Sequence, residues 1–257
     1  MEWLTYKTFK KGPVFPLSMS FDELLRTTAL AARECTLFER LRALYEAKPG
    51  MQEAIVVGAL GTKLLADPSF KHRLPEATDI DLLFGTIPGN LRDELASRFL
   101  IDKAEREYAS MGMEVKERLI ESPHKVYGFK DPKYEHIDIF DGNVGPVQLP
   151  EGLVHPTLRI NEEQSITLKI GNPGFLLANY LAAATPKRLG RTRVLLETLA
   201  SANKWNISDE QAIAECKATL KYSGISREHI HDAMRYMAHK YVRRSKPCRK
   251  LLAALST

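Results

Sequence analysis

Three aspartates carry the residue types and spacing that point to chemistry in this chain. Thr78-Asp79-Ile80-Asp81-Leu82-Leu83-Phe84 reads as a strand with two acids one residue apart. Side chains at i and i+2 of a strand point to the same face, so Asp79 and Asp81 are expected to converge. Two carboxylates a few ångströms apart repel unless a cation lies between them, and hard oxygen donors suit Mg2+ or Mn2+. A third acid follows in His136-Ile137-Asp138-Ile139-Phe140, a half-buried strand pattern with Asp138 opposite the flanking isoleucines. Paired beside the first strand, it brings three carboxylates to one rim. That is enough for two metals roughly 3.5–4 Å apart, the spacing used in phosphoryl and nucleotidyl transfer. The plainer alternative is that the paired aspartates are a solvated strand face, as in many chains with a D-x-D.

The elements that must position these acids lie immediately upstream. Ile55-Val56-Val57 reads as a strand that ends in Gly58-Ala59, and a helix is expected from Leu60 to about Ala66. The Gly58-Ala59 turn at a helix N-terminus would offer backbone N–H groups to a triphosphate. Thr62 and Lys63 follow one turn on, as a hydroxyl and a cation facing phosphate, or else as an ordinary helix residue and a solvated lysine. Gly58-Ala59-Leu60-Gly61-Thr62-Lys63 lacks the G-x-x-x-x-G-K-[ST] order of a phosphate loop. Further along, Lys187, Arg188, Arg191 and Arg193 cluster after Thr185-Pro186, and a second basic run spans 239–250. Each reads as a phosphate or nucleic-acid contact or as a solvated helix end. The histidines form no metal-ligand pattern, and no G-x-S-x-G elbow is present.

The order of a strand ending in Gly58, a helix, Asp79-Ile80-Asp81 and a later strand acid resembles the polymerase-β-type nucleotidyltransferase superfamily. Within it, the chain looks most like the AbiEii-like (abortive-infection) nucleotidyltransferases, many of them toxins. The resemblance covers roughly residues 50–142, and more loosely the helical region to about 202. It implies an α+β fold with a small mixed sheet flanked by helices, and metal-bound NTP as substrate. The implied reaction moves a nucleotide to a hydroxyl or phosphate on RNA or tRNA, a protein or a small molecule. A toxin role implies an antitoxin as protein partner. Carried over, Gly58 is the motif glycine, Asp79 and Asp81 are the paired metal ligands, and Asp138 is the third acid. The chain departs from the pattern at Ala59, where Gly or Ser is usual. It departs again at Asn179, near where a lysine of the AbiEii-like toxins falls, and at Glu197, roughly where an aspartate falls. A non-catalytic nucleotide- or RNA-binding module that keeps the fold is the alternative these departures favour.

The rest of the chain sets the frame. A helix is expected over 20–47, opened by the Ser20…Glu23 capping box and ended by Pro49-Gly50, and another over 90–110. Strands are expected at 113–119, 125–129 and 136–140. The Gly- and Pro-rich stretch 142–156 marks a seam between an α/β core (1–150) and a hairpin plus C-terminal helical bundle (151–257). The hairpin pairs 158–160 with 166–170, and helices follow at 174–184, 189–202, 209–222, 227–243 and 247–255. The 257 residues are 44% hydrophobic, enough for a substantial core, and carry a net charge of +5, compatible with a polyanionic partner. Cys35, Cys216 and Cys248 lie far apart, which suggests neither a zinc site nor a disulfide framework. No apolar run approaches the ~20 residues of a spanning helix, and the first residues lack the apolar core of a signal peptide. A cytoplasmic protein with no membrane partner is expected.

Overall fold

The computed structural model of the chain describes residues 17–20, 23, 31–66, 68–99, 125–160, 166–201, 208–240, 249 and 252–255. The fold is mixed α+β, with an eight-stranded mixed sheet and eight helices among the described residues.

In chain order the sheet strands are β1 (Leu17–Met19), β2 (Ile55–Val57), β3 (Ile80–Phe84), β4 (Leu95–Phe99), β5 (Lys125–Phe129), β6 (Ile137–Asp141), β9 (Thr157–Ile160) and β10 (Ile166–Ile170). A separate two-stranded ribbon holds β7 (Asn143–Val144) and β8 (Val147–Gln148). The helices are α1 (Ala32–Ala47), α2 (Gly58–Leu65), α3 (Pro68–Lys71), α4 (Gly89–Arg92), α5 (Pro173–Ala183), α6 (Pro186–Leu199), α7 (Asp209–Tyr222) and α8 (Arg227–Lys240). The sheet order is β1-β9-β10-β2-β3-β6-β5-β4. Pairs β1/β9, β10/β2 and β3/β6 are parallel; β9/β10, β2/β3, β6/β5 and β5/β4 are antiparallel.

The middle strands are buried on both faces, and their apolar runs follow from that. All of Ile55-Val56-Val57 is buried, as are Ile80, Leu82, Leu83, Phe84, Ile137, Ile139 and Phe140. The polar residues that interrupt these strands, Asp81, Asp138 and Asp141, are half-buried. The expected hairpin forms, with Ile166 opposite Ile160 and Leu168 opposite Leu158. It belongs to the same sheet as the acids, because β10 runs parallel to β2. The sheet is therefore continuous across the seam expected at 142–156.

Helix α5 is the centre of the C-terminal half. All eleven of its residues are buried, and it packs against α6, α7 and α8. Its start is written locally: Asn172 Oδ1 accepts from the Gly174 and Phe175 N–H groups, with Pro173 at the first helical position. It ends at Ala184, whose left-handed φ of 51° turns the chain sharply. Thr185 then caps α6 through the Arg188 N–H, again followed by proline. Ser208 caps α7 through the Gln211 N–H at 3.0 Å, as its sequence predicts.

Two helix expectations are corrected. The helix expected over 20–47 does not run unbroken, because Ala31 is extended (ψ 159°) and serves as the N-cap of α1. The Glu34 carboxylate accepts from the Ala31 N–H at 3.0 Å, which fixes the break. Ser20 does accept from the Glu23 N–H at 3.1 Å, while 24–30 lie outside the described residues. The helix expected over 90–110 is instead the single turn α4 followed by strand β4, with Leu95 opposite Phe129 and Ser97 opposite Tyr127. Leu91, Leu95 and Phe99 fit a helical spacing, but Leu95 and Phe99 also fit the period of a strand, and pairing with β5 decides. Residues 100–110, the strand expected at 113–119, most of the arm 1–19 and the basic residues 241–248 lie outside the described residues.

Candidate functional site

Backbone register places the acids. β3 and β6 run parallel with Asp81 directly beside Asp138, and on the other side Val57 of β2 is the partner of Asp81. Asp79 precedes β3 by one residue and is half-buried. The sequence expectation that Asp138 lies alongside Asp81 is thus a matter of two neighbouring strands in matched register.

Gly58 is required by Asp81. It stands at the β2–α2 junction with φ +63°, and a Cβ there would meet Asp81 Oδ2 at 1.7 Å. The carboxylate occupies the space a side chain would take. Three residues on, a Cβ at Gly61 would lie 2.5 Å from the Val56 carbonyl, so α2 packs directly on its own strand. The N-cap of α2, Val57, makes no side-chain capping bond. Backbone donors at the first turn of α2 are therefore not taken up by a cap.

The electrostatics follow from crowding. Burial pushes the Asp81 carboxyl up to about 7, and the neighbouring charges of Asp79 and Asp138 push the same way, against Arg191 and Arg188. Two members of the basic cluster on α6 therefore act on the acids. The Arg191 guanidinium carbon lies 5.6 Å from the centre of the Tyr180 ring. The Tyr180 hydroxyl donates to the Gly58 carbonyl at 2.7 Å and lies 2.6 Å from Thr62 Oγ1, which itself donates to Gly58 at 2.8 Å. The two-residue turn between α5 and α6 sets Tyr180 and Arg191 together above the glycine.

The other predicted residues have partners or surroundings of their own. Lys63 is neither solvated nor facing phosphate: it is 6% exposed and forms an ion pair with the fully buried Glu34. Glu34 also accepts from the Ala77 N–H at 2.6 Å, just ahead of the paired aspartates. A buried ammonium requires a partner, and α1 supplies one that no local pattern reveals. Thr62 is fully buried and spends its hydroxyl on Gly58 and Tyr180. Ala59 is buried in the first turn of α2 and offers only its backbone. Lys187 is exposed, and Arg193 bonds Glu197 at 3.1 Å along α6. Glu197 also pairs with Arg73 at 2.5 Å. Asn179 donates to the Val144 carbonyl at 2.6 Å and is a buried tie to the β7–β8 ribbon.

Tyr180 is the site residue that sequence reasoning missed. It is the one hydroxyl-bearing side chain in the otherwise apolar stretch Phe175–Ala183 apart from the amide of Asn179. A buried tyrosine hydroxyl needs a partner, which signals a bond without saying to what.

Among the described residues no group of three or more His, Cys, Asp or Glu side chains is gathered closely enough to hold a metal ion. The donor chemistry nonetheless fits a hard divalent cation: carboxylate oxygens on adjacent strands, crowded enough to raise Asp81. A three-acid ligand set requires side-chain movement on binding. No helix among the described residues is long and apolar enough to cross a membrane. Comparison of the chain with protein-family models, with curated proteins and with solved structures gave no match.

Proposed function

We propose that this protein is a metal-dependent nucleotidyltransferase that moves an NMP from an NTP to an acceptor hydroxyl or phosphate. The observation that carries the reading is the matched register of Asp81 and Asp138 across parallel β3 and β6, with Gly58 open to Asp81 from β2. Asp79 and Asp81 would hold Mg2+ or Mn2+ together with Asp138. When bound, the metal would neutralise phosphate charge and lower the pKa of the attacking hydroxyl. Asp138 accepts the acceptor proton. The first-turn N–H groups of α2 receive a phosphate oxygen, favoured by the helix N-terminus. Arg188 and Arg191, whose charges act on Asp81, would bind phosphate, whereas Lys63 and Arg193 are engaged by Glu34 and Glu197.

RNA, tRNA, a protein and a small molecule are the acceptors to be tested, and an antitoxin is the protein partner a toxin role requires. The test is incubation with each labelled NTP and Mg2+ in the presence of total cellular RNA and protein. Label should appear in one fraction and disappear with Asp81→Asn.

A second reading, a non-catalytic nucleotide- or RNA-binding module, is favoured by the absence of a gathered three-acid group among the described residues. It predicts thermal stabilisation by an NTP with no transfer of label to any fraction.

A further inference from the structure

Arg191 is a buried cation with an unsatisfied donor. It is 7% exposed, its Nε has no hydrogen-bond partner, and it makes no ion pair among the described residues. Leaving a guanidinium N–H desolvated and unpaired is unfavourable, so its place invites a functional account. Contacts run from it to the acids. The guanidinium lies against the Tyr180 ring, the Tyr180 hydroxyl holds the Gly58 carbonyl, and the vacant Cβ position of Gly58 is filled by the Asp81 carboxylate. Half-buried Arg188, one turn earlier on α6, acts on the same carboxylate.

We propose that Arg191 is a built-in counter-cation of the acid cluster, so that a divalent metal binds weakly alone and enters together with an anionic phosphate. The proposal rests on the reading of the acids as a metal site. A bare divalent ion at Asp81 meets a fixed positive charge in a poorly solvated place, where repulsion is only weakly screened. A phosphate changes the sign of that encounter. It gives the guanidinium fork an acceptor, which suits arginine's planar donors, and it satisfies the orphaned Nε. Arg191 therefore opposes the metal by itself and favours the metal–phosphate pair. In consequence the acids are kept from filling with free metal until a phosphate-bearing ligand arrives.

The test measures Mn2+ binding to the full chain by electron paramagnetic resonance, and labelled pyrophosphate binding in Mn2+ by equilibrium dialysis. Both are done for the parent, Arg191→Met and Asp81→Asn, with Arg191→Gln as a second neutral variant should the methionine fail to fold. Expected for the neutral variant are Mn2+ affinity at least tenfold tighter than the parent without pyrophosphate, and pyrophosphate affinity at least tenfold weaker in Mn2+. Neutral variants that bind Mn2+ alone no more tightly than the parent, while Asp81→Asn weakens it, overturn the counter-cation and leave the metal site standing. Absence of Mn2+ binding at millimolar concentration in parent and neutral variants alike, with or without pyrophosphate, overturns the metal reading and the proposal with it.

Discussion

Replacing Asp81 by asparagine is expected to stabilise the metal-free protein, and to do so in a pH-dependent way. The Asp81 carboxyl is held near pH 7 in the folded chain against 3.8 in the unfolded one. Between those values the native state keeps a proton that the unfolded state has released. Stability from this group is therefore fully present below pH 3.8 and is lost as pH rises through about 7. Roughly three units at about 1.36 kcal/mol each give a cost of about 4 kcal/mol above pH 7. Solvent at the half-buried side chain makes this an upper figure. Asparagine has nearly the shape of the protonated acid and no charge to lose. The stability difference between Asp81→Asn and the parent should therefore grow by up to about 3 kcal/mol from pH 4.5 to pH 8, the unfolded carboxyl being mostly ionised already at pH 4.5. Urea denaturation in EDTA at half-unit pH steps measures it. A difference that is flat with pH, or that shrinks as pH rises, would refute the account of a crowded buried carboxylate. Millimolar Mg2+ should then stabilise the parent, but not the variant, above pH 7.

Other expected outcomes concern the supports of the site. Gly58→Ala should destabilise by at least about 2 kcal/mol, combining a left-handed backbone cost of roughly 1–2 kcal/mol with the clash at Asp81 Oδ2. In an Asp81→Gly background only the backbone part should remain, and equal losses in both backgrounds by denaturant titration would rule out the clash. Lys63→Met leaves Glu34 buried without its cation and should cost about 3 kcal/mol or more in thermal or urea unfolding. A loss below about 1 kcal/mol would show that the two N–H donors of Ala31 and Ala77 suffice. His155, pushed down to about 4 by burial, accepts from the Asn172 N–H at the start of α5 through Nδ1. Its imidazole should stay neutral at pH 5.5 in an NMR titration; protonation near pH 6.5 would contradict that bond.

Much of the acidic half of the site is legible in the chain itself. Isoleucines flanking Asp138 and the Asp79-Ile80-Asp81 alternation fix which face each acid takes, because strand periodicity is local. Helix starts at Asn172 and Ser208 are equally local, since a capping side chain bonds the backbone two or three residues on, whereas α6 begins at Pro186 behind the Thr185 cap, three residues ahead of the expected 189. The hairpin of β9 and β10 likewise follows from short-range pattern. Only the tertiary structure decides the cationic half. Lys187, Arg188, Arg191 and Arg193 look alike in sequence, yet packing of α6 against α2 and α5 brings the charges of Arg188 and Arg191 to bear on Asp81, while Arg193 keeps a local i,i+4 pair with Glu197. Lys63 on α2 and Glu34 on α1 lie far apart in the chain, and their pairing is a tertiary contact that neither segment encodes alone. Residues 95–99 show the same division. Their spacing suits a helix or a strand, and the unpaired edge of β5 determines which. Charge partners and strand neighbours are relations between distant segments, and a periodicity read along one segment holds no information about them.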